Sequence, residues 1–155
     1  MSLLFAALSD LAELALGCSS CRAGLRQTLQ ASLPAGLGTG GVVDLSSPSA
    51  ALQVGVSATP ADCEQLARRL LGKRSAESMS LQLVRGAMCE LAYLLAGGVR
   101  RRLACWGPLT VGQPVYFEGS LSPQSGWDTR TTVVELDGIR ATLLSVARSD
   151  LSLLL

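Results

Sequence analysis

One stretch constrains this chain more than any other. From Ser80 to Ala104 the residues keep helical spacing, and Gly107-Pro108 then forbids continuation. Advancing about 100° per residue from Val84 places Met88, Leu91 and Leu95 within about 40° of it, so these four form an apolar stripe. Gln82, Gly86, Tyr93, Gly97 and Arg100 fall on the opposite side, with Glu90 on its flank. A helix of this length with one apolar side needs a layer to lie on, and it leaves its other side open. Glu90 and Tyr93, three residues apart, are neighbours on the helix surface. The outer stripe holds two glycines where a solvated helix prefers Ala, Lys or Glu, at a cost of roughly 1 kcal/mol each. Two readings are open: a surface kept low for another protein's close approach, or glycine tolerated through composition or tight packing on a neighbouring element.

The segments around this helix supply the layer. Residues 2–16 have helical spacing, with Leu4, Ala7, Leu11, Leu14 and Ala15 on one side. Residues 22–32 alternate loosely as a strand, and the glycine-rich run 34–41 reads as a loop. That run lacks the GK[ST] ending and the following helix of a phosphate cradle. Val42–Leu45 and Leu52–Val56 are short β-type runs joined by a Ser/Pro hairpin. Thr59-Pro60, with Asp62 in the first turn, starts a helix that ends at Gly72. A polar linker covers 73–78. Beyond Pro108, residues 114–119, 129–136 and 139–146 read as strands, and Asp137-Gly138 is a type I′ hairpin signal. The tail 151–155 is expected to pack on the sheet or across a dimer contact. Strands, then helices, then strands predict an α+β fold: a mainly antiparallel β-sheet packed on one side by long α-helices, in one domain of 155 residues.

Charge and composition exclude several functions. Thirteen basic and 12 acidic residues give a net charge of +1, so no long-range field draws the chain to nucleic acid or anionic lipid. No run reaches the roughly 18 apolar residues of a membrane helix. The apolar start carries Asp10 and Glu13 and no basic region, so it reads as an amphipathic helix and not a signal peptide, and a cytoplasmic location is expected. With no histidine, imidazole acid/base chemistry, the usual triads and His-metal sites are absent. Cys18-Ser-Ser-Cys21 has a spacing used in zinc and redox sites, but no second such pair follows. Buried thiols acting as small hydrophobes are the favoured reading, and no metal is expected. Arg100-Arg101-Arg102 at the helix end complements the helix dipole, or else meets a phosphate or an acidic partner.

The long helix, Gly86-Ala-Met-Cys-Glu-Leu-Ala-Tyr-Leu-Leu-Ala-Gly-Gly98, and the later Pro114-Val-Tyr-Phe-Glu-Gly119 resemble the signature of the CheX/CheC/FliY chemotaxis-phosphatase family. There the helix reads approximately [D/S]-x-x-x-E-x-x-N, and a strand opening on a proline follows. The strand-then-helix unit at 51–60 is similar too, and the resemblance covers roughly residues 42–147. It implies a domain that binds a phosphorylated response-regulator receiver of the CheY type. The helix lies on the receiver, the Glu meets the receiver's active-site lysine, and the Asn amide positions water in line with the aspartyl phosphate. Such chemistry rests on positioning more than on covalent steps. Carried onto this chain, Glu90 matches the Glu, Tyr93 stands where the Asn belongs, Gly86 stands where Asp or Ser belongs, and Pro114 matches the later proline. The resemblance thus implies Glu90 and Tyr93 as the catalytic pair and Gln82, Gly86, Gly97 and Pro114 as partner-binding residues. It also implies no cofactor of the chain's own, any Mg²⁺ belonging to the receiver, and a homodimer, since relatives often pair. With Tyr93 replacing the amide, phosphatase activity stays open, and the alternative is a catalytically silent adaptor or dimerisation module of the same fold.

Overall fold

The structure, a computed structural model, describes residues 2–29, 38–73, 77–119 and 125–148. Helix α1, Leu3–Leu14, starts where the Ser2 hydroxyl accepts from the Phe5 amide at 3.1 Å. Its buried residues are Leu4, Ala7, Leu8, Leu11 and Ala12. The expected stripe is corrected at its end: Leu14 is 85% exposed and Ala15 half-buried. The physical reason is local, because the chain leaves the helix there. The amides of Ala15 and Leu16 both turn back to the Leu11 carbonyl, which buries Leu16 in place of Leu14.

Strand β1, Cys21–Leu29, contains Gly24 within an irregularity between Ala23 and Arg26. The end of the predicted strand, the first half of the glycine-rich loop, the middle of the polar linker and the tail 151–155 lie outside the described residues. Strand β2, Thr39–Ser46, begins three residues before the predicted run and takes Gly40 and Gly41 into the sheet. Strand β3, Ala51–Ala58, returns through a turn in which the Ser47 hydroxyl accepts from the Ser49 and Ala50 amides. Helix α2, Pro60–Leu71, has Thr59 as its cap and ends at Gly72, whose φ of 65° is the left-handed conformation that glycine adopts at low cost. Helix α3, Leu81–Arg102, is capped by Ser80 and runs unbroken through Gly97. A 3₁₀ turn, Ala104–Trp106, follows it. Four further strands follow among the described residues: β4 Thr110–Val111, which the sequence reading did not separate, β5 Val115–Glu118, β6 Trp127–Leu136 and β7 Ile139–Arg148. Between β6 and β7, Asp137 and Gly138 have φ of 47° and 84°, as a type I′ turn requires.

Among the described residues all the pairings are antiparallel, in the order β1-β6-β7-β3-β2, with β4 and β5 sharing the far edge of β2. Val43, Leu45, Val54, Val56, Leu143 and Val134 point to one face and join the buried residues of the three helices in one core. β7 is buried on both faces, since Leu144 and Val146 alternate with Leu143 and Ala147. α3 lies on β2 and β3, flanked by α1 and α2. Its approach to β2 is possible because Gly41 lacks a side chain: a Cβ there would sit 2.5 Å from the Met88 carbonyl oxygen. Gly98 does the same for α1, where a Cβ would meet that of Ala7 at 3.0 Å. No described helix is long and apolar enough to cross a membrane.

Candidate functional site

The core presses one side of α3 onto the sheet and thereby exposes the other. Val84, Ala87, Met88, Leu91, Ala92, Leu95 and Val99 are buried, while Gln82, Gly86, Glu90, Tyr93 and Arg100 are exposed and Gly97 is half-buried. The stripe predicted to face outward does so. Neither of its glycines is dictated by packing. Among the described residues, a Cβ on Gly86 would meet nothing within 4 Å, and one on Gly97 would meet only the Arg101 Nη1 at 3.9 Å. Of the two readings of these glycines, tight packing on a neighbouring element is therefore excluded at Gly86.

Gln82, Gly86 and Glu90 succeed one another at four-residue intervals and line a cleft of about 390 Å³ between α3 and the end of α2. Leu70 and Leu71 form its α2 wall, and Leu83, Ala87 and Leu94 complete it. Glu90 is exposed, and among the described residues no cation pairs with it. Tyr93, 44% exposed, lies about 60° around the helix from Glu90, on the flank away from α2. Gly97 is a turn beyond it. Pro114 is half-buried just before β5 and does not line the cleft. The structure thus brings Gln82, Gly86 and Glu90 into one opening and leaves Tyr93, Gly97 and Pro114 outside it.

Several contacts hold this surface in place, and none was evident from the sequence. The Arg85 guanidinium lies over the Tyr116 ring, 5.1 Å from its centroid, and pairs with Glu118 at 3.0 Å, fastening the start of α3 to β5. At the other end Arg102 pairs with Asp10 at 2.6 Å and donates to the carbonyls of Ala6 and Gly98, so one of the three arginines clamps α3 to α1. A composition-based reading cannot see such pairs, because each joins residues far apart in the chain.

The Cys18-Ser-Ser-Cys21 segment is an anchor of a different kind. Asp137, at the β6–β7 turn, accepts from the Ser19 amide at 2.9 Å and the Ser20 amide at 2.7 Å, and from both serine hydroxyls. Arg69 of α2 approaches the same carboxylate at 3.4 Å. The hydrogen bonds, led by that from the Ser19 amide, hold the Asp137 carboxyl at about 2, below the usual range. Burial pushes the Cys18, Cys21, Cys63 and Cys89 thiols up, which keeps them protonated and poorly nucleophilic at neutral pH. No group of three or more Cys, Asp or Glu suited to holding a metal occurs among the described residues.

No protein-family model matches this chain, and no curated protein matches its sequence. Its fold does match solved structures. The chemotaxis protein CheX from Desulfovibrio desulfuricans superposes with a TM-score of 0.79 at 14% identity, over 94% of this chain and 97% of the other. A CheC-like superfamily protein from Shewanella sp. PV-4 does so with a TM-score of 0.75 at 14% identity, over 96% and 100%. The structure of a CheX–CheY–BeF3–Mg²⁺ complex from Borrelia burgdorferi matches with a TM-score of 0.73 at 16% identity, over 94% of each chain. At these identities the likeness establishes the fold, which is that of the CheX and CheC-like proteins.

Proposed function

We propose that this chain, which has the CheX fold, is a docking domain of chemotaxis or two-component signalling that receives a phosphorylated receiver domain of the CheY type on the outer face of α3. The observation that carries the reading is the open, glycine-bearing face around an exposed, unpaired Glu90 on a helix whose other side is locked into the core. A surface glycine in mid-helix costs about 1 kcal/mol relative to alanine, and among the described residues no contact at Gly86 requires it. A partner approaching the helix backbone supplies the missing reason. Support from a neighbour comes from the Borrelia burgdorferi complex, in which a CheX of the same fold is assembled with CheY.

Docking does not by itself give hydrolysis. In the family this chain resembles, an amide beside the acid positions water in line with the aspartyl phosphate, whereas Tyr93 offers one hydroxyl on a longer, rigid ring. Gln82 does carry an amide in the cleft, but eight residues separate it from Glu90, about 12 Å of helix rise, too far to share one phosphoryl group. Losing one oriented donor at a preorganised site removes about 10²–10³ in rate. The leading function is therefore partner binding, with Glu90 meeting a basic group of the receiver and any Mg²⁺ bound on the receiver's side. The second reading, residual aspartyl-phosphate hydrolysis, is favoured by the retained Glu90.

One assay decides both. Receiver domains from the same genome, charged with acetyl phosphate, are mixed with the protein, and binding and phosphate release are followed together. Binding without accelerated release is expected, and Glu90→Ala is expected to weaken it. Release that disappears with Glu90→Ala would establish the enzyme, and Tyr93→Asn is then expected to accelerate it. Failure of every receiver to bind would overturn the docking function. The homodimer is a separate proposal, tested by sedimentation of the protein alone.

A further inference from the structure

We infer that the cleft between α2 and α3 is the apolar anchor of this docking surface, taking one large apolar side chain from a partner face that also carries a basic residue. The inference rests on the receiver-docking reading and adds to it the part of the partner that α2 recognises. Its first support is steric. Leu71 on α2 and Leu83 on α3 stand on opposite walls and remain 44% and 42% exposed, although they border the same opening. Between them the floor is Ala87, with Gly86 beside it offering no side chain to close the gap. At about 390 Å³ the cleft has room for an aromatic or large aliphatic side chain. Anchors of this kind, seated in a pocket and ringed by weaker contacts, carry most of the energy of protein interfaces.

The second support is charge, and it selects the occupant. At the cleft end of α2 the ionic groups are paired within the chain: Glu64 with Arg68 at 2.6 Å, Arg69 with Asp137 at 3.4 Å, and Lys73, just past the helix, with Glu77 at 3.7 Å, while Asp62 at the far end accepts from the Thr59 hydroxyl. The charge lining the cleft is the Glu90 carboxylate, without a counter-ion among the described residues. Among the described residues no cation lines the cleft, so none of them offers a phosphoryl group a counter-charge there. The complementary surface is apolar with a lysine or arginine. Leu83 and Glu90 are two turns apart, so the two partner side chains are spaced by about 10 Å.

The test is titration calorimetry of receiver domains from the same genome, each loaded with beryllofluoride and Mg²⁺, against wild type, Leu71→Ser/Leu83→Ser and Leu14→Ser. Leu14 is 85% exposed on α1 and does not line the cleft, so it serves as the control. The double variant is expected to bind at least about tenfold more weakly, and the control to bind as wild type. Because the double variant could also unfold, methyl NMR of wild type under the same titration gives an independent reading, with the Leu71 and Leu83 methyls expected to shift. Full-strength binding by a folded double variant, or unshifted methyls in a formed complex, would overturn the anchor and leave docking on α3 standing. No binding by any receiver would overturn both. Self-association of the free protein that the double variant abolishes would also overturn the anchor, because a second copy would then fill the cleft.

Discussion

The glycines of α3 and its contact strand divide into two kinds, and the division separates what holds the fold from what the surface is free to do. Gly41 is forced and Gly98 tightly packed: a Cβ at Gly41 would sit 2.5 Å from the Met88 oxygen, and one at Gly98 would press on the Ala7 Cβ at 3.0 Å. Gly86 is free, with nothing within 4 Å. The same residue type, within one helix and the strand beneath it, is thus required by close packing on the inner side and unexplained by packing on the outer side. Where internal packing gives no reason for a helix-weakening residue, an external contact becomes the physical explanation to test.

Substitutions on the two sides should differ in sign as well as size. Leu95→Ala, at a site with no exposure, is expected to lower stability by about 2–5 kcal/mol, read as a fall in the urea midpoint. An effect below about 1 kcal/mol would mean that α3 is not seated on the core as described. Gly41→Ala is expected to cost about 1–3 kcal/mol, because the neighbour it meets is helix backbone that must move. Gly86→Ala should do the reverse, raising stability by up to about 1 kcal/mol while weakening receiver binding. If alanine at 86 stabilises the protein and leaves binding unchanged, the open face has no docking role and the comparison loses its functional half.

Asp137 gives a smaller, pH-dependent effect that lies apart from both faces of α3. Its folded value of about 2 lies below the unfolded carboxylate value near 3.9, so its contribution to stability is fully present above about pH 4 and fades as pH falls toward 2. Asn tolerates the positive φ at this position, so Asp137→Asn tests the charge and its hydrogen bonds without straining the turn. The stability gap between wild type and Asp137→Asn, measured by urea titration, is expected to be constant near neutral pH and to shrink below pH 4. A gap that ignores pH would show that the carboxylate's ionisation does not stabilise the Ser19–Ser20 anchor.

Local signals account for much of what was legible beforehand. Thr59-Pro60 and Gly72 delimit α2, Asp137-Gly138 makes its turn, and the spacing of Val84, Met88, Leu91 and Leu95 oriented α3, because capping, positive φ and a 3.6-residue period are properties of short segments. Glu90 and Gly86 could be placed on the exposed side for the same reason. The errors fall where the chain's own periodicity does not decide. Gly40 and Gly41 have loop composition, yet pairing with β3 and β5 draws them into a strand. Leu14 fits an apolar stripe but stands in solvent, because α1 stops before the stripe would need it.

By itself, then, the amino-acid order determined the fold class, the element sequence apart from the short β4, and which side of the long helix is wet, since each follows from local conformational preference and apolar periodicity. Tertiary structure alone decided that Gln82, Gly86 and Glu90 share a cleft with Leu70 and Leu71 while Tyr93 and Pro114 lie outside it. It alone decided that Ser19 and Ser20 serve Asp137, and that Arg85 and Arg102 fasten the two ends of α3. The reason is sequence separation: clefts, clamps and shared carboxylates form between residues that the chain keeps far apart, and only the packing of three helices on one sheet brings them within reach.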